Sequence, residues 1–82
     1  MSTTMRAKMA VNRIEQHSNS ETLHFNAVCK NGTYPADGSD EDNTFAKFSP
    51  SANLSIQITN PALVGQFKVG EKYYVDFTPA EK

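Results

Sequence analysis

Two stretches of strict apolar–polar alternation, residues 54–59 and residues 73–78, constrain the fold of this chain more than any other feature. A period of two places every second side chain on the same side of a β-strand. β-Branched and aromatic side chains suit such a half-buried surface. Both stretches are therefore predicted to be strands with one buried face. The inward positions are Leu54, Ile56 and Ile58, then Tyr73, Val75 and Phe77.

The connection between these two strands carries a helix-start signal. Asn60 can cap a helix, and Pro61 suits the first helical position. Gly65 can end such a turn in the left-handed conformation. The sequence therefore predicts one short helical turn before the last strand, which Pro79 ends because it lacks a backbone N–H.

Similar alternation predicts three further strands, at residues 7–14, 22–29 and 44–48. Ile14 has the wrong parity for the first strand, so a β-bulge at 12–13 is predicted to return it to the core face. The alternative is an outward-facing Ile14. Cys29 falls on the inward parity of the second strand and is predicted to be a core residue.

Five short strands and one helical turn predict an all-β fold, a small five-stranded antiparallel barrel without exposed edges. An SH3-like barrel fits the position of the helical turn better than an OB-like barrel, and a two-sheet sandwich is a further alternative. Residues 1–5 are predicted to be a disordered N-terminus. Residues 6–80 are predicted to form a single small β domain with a flexible acidic loop at 36–43.

Composition narrows the class of function. Eight basic and nine acidic residues give a net charge of −1, which argues against general binding of a phosphate backbone, so nucleic acid is not an expected partner. A single cysteine excludes an internal disulfide framework. No apolar run approaches the roughly 18 residues that span a membrane. With no secretory signal at the start, a cytoplasmic location is expected.

No spacing typical of a catalytic set or a phosphate-binding loop occurs in the chain. We therefore expect a non-enzymatic protein with no catalytic residues, no cofactor and no metal. His17 and His24 lie near Glu15 and Glu21, but their spacing matches no metal motif, so they are predicted to be solvated.

The acidic segment, residues 37–42 within the predicted loop, is the first candidate binding site. Its four acidic residues occur without an apolar anchor, and their spacing lacks the pattern of a calcium-binding loop. Contact with a basic face of another protein is the expected role. The predicted partner-binding residues are Asp37, Asp40, Glu41 and Asp42.

A set of aromatic and cationic residues is the second candidate site. Such residues on a barrel face can hold nucleotides or single strands by stacking and charge, although core and rim packing is the alternative. An oligomeric binder that sequesters a small nucleotide signal is thus a second hypothesis, and a single-stranded nucleic-acid-binding barrel is a third. Because so small a chain has a limited core, a homo-oligomer stays open. The predicted ligand-binding residues are Tyr34, Lys47, Phe48, Lys72 and Tyr74.

The segments FSPSA, ITNPA and GEKYYVDFTP, at residues 48–52, 58–62 and 70–79, resemble small accessory proteins encoded by tailed bacteriophages and prophages. The resemblance implies a phage accessory protein in the host cytoplasm, whose partner is a host or phage protein. Countering a host defence is one role that it implies. The matching residues are turn formers, a cap and core positions, so they carry over no catalytic residue.

Overall fold

A computed structural model describes residues 5–81 and shows an all-β fold, with no helix in this part of the chain. Four strands, β1 (Met5–Gln16), β2 (Glu21–Ala27), β3 (Asn53–Ile58) and β4 (Lys72–Phe77), form one sheet in the order β3-β2-β1-β4. Every neighbouring pair is antiparallel, and the sheet curls into a half-barrel. No helix that could cross a membrane is found in this described range.

The strand register separates an apolar face of the sheet from a polar face. Val11 lies opposite Phe25, and Ala7 lies opposite Val75, so apolar positions of neighbouring strands point to the same side. Burial on that side removes apolar surface from water and stabilises the sheet. The buried apolar residues are Ala7, Met9, Val11, Leu23, Phe25 and Ile58.

A β-bulge keeps the long β1 strand in phase with the core. The pairing of β1 with β2 shifts between Val11 and Arg13, so that Ile14 lies opposite Leu23 and packs on the core. Without the extra residue, Ile14 would point to the polar face, because a shift of one residue reverses the side of every side chain. The predicted bulge is confirmed.

The structure contains four strands in the described chain, not the predicted five. The predicted third strand at 44–48 is wrong, since these residues form turns and bends. Phe48 has φ of 64°, a left-handed conformation that a strand does not accommodate. The segment instead joins β1 at one residue: Thr44 N–H donates to the Arg6 carbonyl at 3.0 Å, and Arg6 N–H donates to Thr44 Oγ1 at 2.9 Å.

The connection between β3 and β4 crosses the sheet rather than forming a hairpin. The prediction that sequential strands are neighbours fails here, because β4 pairs with β1 at the opposite edge from β3. Residues 61–65 form hydrogen-bonded turns in place of the predicted helical turn. Asn60 still caps them, since its Oδ1 accepts from Ala62 N–H at 3.0 Å. This crossing covers one end of the apolar face, where Val64 and Phe67 pack on the core.

Two predictions fail near strand ends. Cys29 is exposed and not a core residue, because β2 already ends at Ala27. Met5, predicted to be disordered, begins β1. The other residues of that prediction, 1–4, lie outside the described range.

The sheet remains a single layer, and the smallest dimension of the molecule is 16 Å. Beyond the crossing connection, the apolar face forms an open groove of about 120 Å³. Its apolar lining comes from β1, β3, β4 and the long connection that precedes β3. The lining includes Met5, Met9, Phe45, Leu54, Val75 and Phe77.

Candidate functional site

The connection of residues 28–52 contains no helix or strand, although it joins two strands of the same sheet. Connections of this length without secondary structure are usually either functional loops or disordered linkers, and this one is ordered by hydrogen bonds to the sheet. The connection is hydrogen-bonded to the first half of β1, along the edge whose second half pairs with β2. Pairing of the β2 side with β1 ends at Val28, whose N–H donates to the Lys8 carbonyl at 2.8 Å.

Asn43 fills the gap that β2 leaves beside β1. Its Oδ1 accepts from the backbone N–H of Lys8 at 2.8 Å, and its Nδ2 donates to the carbonyl of Val28 at 2.8 Å. The side-chain amide thus bonds to the strand as a peptide group would. Asn43 is completely buried, and a buried backbone group without such a partner would cost free energy.

Asp40 stabilises the same segment by accepting hydrogen bonds from neighbouring residues of the connection. Only 3% of its surface is exposed, so its predicted role as a carboxylate displayed to a partner is not what the structure shows. Its carboxylate accepts from Tyr34 Oη at 2.9 Å, from Asp42 N–H at 2.9 Å and from Asn43 N–H at 3.0 Å. Burial acts to raise the pKa of Asp40, but these hydrogen bonds outweigh it and hold the pKa below its usual value.

Tyr34 and Phe48 form an aromatic pair above this anchor. Their ring centroids are 5.9 Å apart at a tilt of 54°. Burial, together with the hydrogen bond to Asp40, raises the pKa of Tyr34 to about 12. Phe48 is half exposed, and its ring lies against the backbone of Gly38. The aromatic pair is therefore both part of the loop packing and a surface feature.

The other three predicted partner-binding residues lie at the surface of this segment to different degrees. Asp37 is exposed, and its pKa is lowered chiefly because the backbone N–H of Ser39 donates to it. The Glu41 side chain is 73% exposed and lies 3.0 Å from Lys30 Nζ, whose hydrogen bond lowers the pKa of Glu41. The Asp42 side chain is only 17% exposed. Asp37 and Glu41 are thus the charges most accessible to a partner.

Charges on the polar face beside the segment are paired with each other. Arg6 donates to both carboxylate oxygens of Asp76, at 2.6 and 3.1 Å, and its guanidinium lies 4.4 Å from the centroid of the Tyr74 ring. Tyr74 donates to Asp42 at 2.9 Å, and Lys8 Nζ lies 3.5 Å from the same carboxylate. In this network the charge of Asp42 is paired with that of Lys8, so the exposed negative charges of the segment are those of Asp37 and Glu41.

The predicted ligand-binding residues fall into two groups. Tyr34 and Phe48 touch each other, and the exposed Lys47 is adjacent to them in sequence. Lys72 and Tyr74 lie on β4, on the polar face, where Tyr74 contacts Arg6 and Asp42. No described contact joins the two groups directly, but Tyr34 donates to Asp40 and Tyr74 donates to Asp42, and these two aspartates bond to each other.

The histidines contact neighbouring side chains of the first hairpin. His24 Nε2 lies 3.1 Å from Glu15 Oε1, and His17 Nε2 lies 3.3 Å from Thr22 Oγ1. Among residues 5–81, no group of three or more His, Cys, Asp or Glu residues is arranged to hold a metal ion.

Sequence reasoning missed Asn43, the residue that attaches the segment to the sheet. One local signal could have found it. Asp40 precedes Asn43 by three residues, and aspartate commonly accepts backbone N–H groups two or three residues ahead. This signal predicts a closed turn at 40–43, but it contains nothing about the β1 strand with which the turn pairs.

The fold and the site together define a small all-β protein with an open half-barrel sheet and an acidic loop anchored from within. No protein-family model, curated protein or solved structure matches the chain. Function must therefore be inferred from the geometry of the site.

Proposed function

We propose that this protein is a non-enzymatic binding module whose acidic segment, residues 37–42, contacts a basic face of another protein. The observation that supports this most is the alternation of buried and exposed residues in the segment. Asp40 and Asn43 are buried at 3% and 0% exposure. Between them, the Glu41 side chain is 73% exposed. A carboxylate displayed next to a buried anchor loses little conformational freedom when a partner binds.

The electrostatic setting of Glu41 favours exchange of partners. Its contact with Lys30 joins a 73% exposed carboxylate to a lysine side chain that is 14% exposed, and ion pairs reached by solvent typically contribute about 1 kcal/mol or less. An arginine on a partner can make a bidentate contact that Lys30 cannot make. Asp37 adds a second exposed charge on the same segment. Complementary charge of this kind accelerates association and selects partners.

The identity of the partner rests on the sequence resemblance to phage accessory proteins. We propose a host or phage protein in the cytoplasm of a bacterial host, with interference in a host defence as the biological role. A basic protein face that normally binds nucleic acid fits this proposal, because the acidic segment offers similar charge.

Point substitutions test the proposal better than deletion, because deletion would also remove the buried Asp40. Immobilised wild-type protein is compared with an Asp37→Asn/Glu41→Gln variant and with a control, Glu71→Gln/Glu81→Gln, which loses the same charge elsewhere. Proteins captured from a bacterial lysate are identified by mass spectrometry. We expect a salt-sensitive partner that the wild type and the control capture and the loop variant loses. Equal capture by all three proteins would contradict the proposal.

Nucleotide binding is a second candidate function, favoured by the conformation of Phe48. Its φ of 64° is unusual for a bulky residue, and such strained positions cluster at functional sites. Its half-exposed ring, beside Tyr34 and Lys47, could stack on a base while the lysine contacts a phosphate. Calorimetry with cyclic nucleotides tests this. Heat that disappears in Phe48→Ala and persists in Lys72→Ala would support it, and no heat from wild-type protein would exclude those ligands.

A further inference from the structure

We infer that a second copy of this chain covers the apolar groove, the two molecules packing apolar face to apolar face about a two-fold axis. Domains are usually built from at least two packed layers around one core. Here the sheet is one layer, and the smallest dimension of the molecule is 16 Å. Within residues 5–81, the crossing connection covers one end of the apolar face, and no second layer lies over the other end.

The uncovered end carries large apolar side chains at its rim. Met5 and Phe77 lie opposite each other on β1 and β4, and are 43% and 51% exposed. Both side chains line the groove, so the groove and its rim form one apolar surface, a feature that typically marks an interaction site.

The edge that borders this patch favours a second copy over a charged partner. Within the described chain, β3 pairs only with β2, so its other edge is free. Soluble proteins usually protect such an edge with charged residues or proline. No charged residue occurs anywhere in residues 48–67, which include all of β3. In a face-to-face dimer this uncharged edge lies beside the apolar face of the partner, so the contact buries no charge from β3.

Charge and surface area are also compatible with self-association. The net charge is only −1, and on the polar face Arg6 pairs with Asp76 and Lys8 pairs with Asp42. The protein exposes 6002 Å², whereas a folded monomer of its mass exposes about 4,900 Å². This surplus of exposed surface is larger than the roughly 800 Å² that each partner buries in an interface of standard size.

Light scattering during size-exclusion chromatography tests the inference. The wild-type protein should show twice the monomer mass of 9.1 kDa at high concentration, and should dissociate on dilution. Phe77→Lys places like charges in the interface and should raise the dissociation constant at least about 100-fold. Tyr74→Lys is the matched control. Tyr74 lies on the same strand and is 52% exposed, but it is on the opposite face, so this variant should dimerise as the wild type does.

A second matched pair keeps the test decisive if Phe77→Lys fails to fold, which circular dichroism would reveal. Met5→Lys, at the rim of the groove, should dissociate the dimer, and Ser55→Lys, on the polar face of β3, should not. A monomeric wild-type protein at about 200 µM, a concentration at which micromolar dimers persist, would overturn the inference. A wild-type monomer from which solvent extraction releases an apolar compound would also overturn the inference, because another molecule would then cover the groove. Equal dissociation of the dimer by substitutions on the two faces would overturn it as well.

Discussion

The side-chain carbonyl of Asn43 accepts a hydrogen bond from the backbone N–H of Lys8 at 2.8 Å, in the place where β2 has left β1. With the Thr44–Arg6 contact, this amide joins the long connection to β1, an inner strand of the sheet. Because Asn43 Nδ2 also donates to Asp40 at 3.2 Å, the same side chain positions the buried carboxylate of the segment. The first two predictions test this anchor.

Replacement of Asn43 by alanine should destabilise the protein strongly. The change leaves the Lys8 N–H and the Val28 carbonyl without their partner in a buried place. We expect a loss of about 3 kcal/mol in the free energy of unfolding, since each unpaired buried group costs about 1–3 kcal/mol. Urea unfolding measures the change. Asn31→Ala, at an exposed position, should stay within about 0.5 kcal/mol of wild type.

Asp40→Asn should alter how stability depends on pH. The pKa of Asp40 lies below the usual 3.8 in the folded protein. Its carboxylate therefore contributes stability above pH 3.8 that is lost as the pH falls through the lower, folded-state pKa. The variant should be less stable than wild type at pH 7, and the difference should shrink below pH 3.8. A difference that stays constant from pH 7 to acid would contradict the assigned role of this carboxylate.

Gly38 should resist substitution more than Gly32, although both have positive φ, of 75° and 86°. A Cβ at Gly38 would lie 2.3 Å from the Phe48 ring, whereas a Cβ at Gly32 would meet nothing within 4 Å. Gly32→Ala should cost about 1 kcal/mol from backbone strain alone. Gly38→Ala should cost more, because the ring must leave Tyr34. Thermal unfolding measures both costs.

A double-mutant cycle separates the two causes. Phe48→Ala in the Gly38→Ala background should remove the ring clash and leave only the backbone strain, so the two substitutions should be non-additive. Additive effects would mean that the ring does not limit the size of residue 38.

Glu21 should stabilise the crossing connection, the segment between β3 and β4, through its hydrogen bond from Gly65. It is 1% exposed, and its carboxylate accepts from Gln16 Nε2 at 3.1 Å and from Gly65 N–H at 3.2 Å. Glu21→Ala should cost about 2 kcal/mol, because it leaves the Gly65 N–H without this acceptor. Hydrogen exchange at Gly65 should accelerate. Glu21→Gln keeps an acceptor and should show a smaller effect, while Glu81→Ala, at an exposed position, should leave exchange at Gly65 unchanged.

The candidate site was predictable in part. The acidic residues and the aromatic residues were recognisable from the sequence, but their exposure was not. Asp40 and Glu41 are adjacent acidic residues, yet one is buried and the other is exposed. Hydrogen bonds from Tyr34 and Asn43 decide this difference, and the Asn43 amide is in turn positioned by Lys8 of the distant β1 strand.

Local sequence patterns predict the all-β class, the strands around Ile56 and Val75, and the bulge before Ile14. Those features follow from the alternation of apolar and polar residues along each strand. A shift of one residue in the register would move every side chain to the other face of the sheet. Long-range contacts set the remaining features: β4 pairs with β1, residues 44–48 are not a strand, and Cys29 is exposed. These outcomes depend on which backbone groups remain unpaired once the sheet has formed. Alternation along one strand carries no information about the neighbour that will satisfy them.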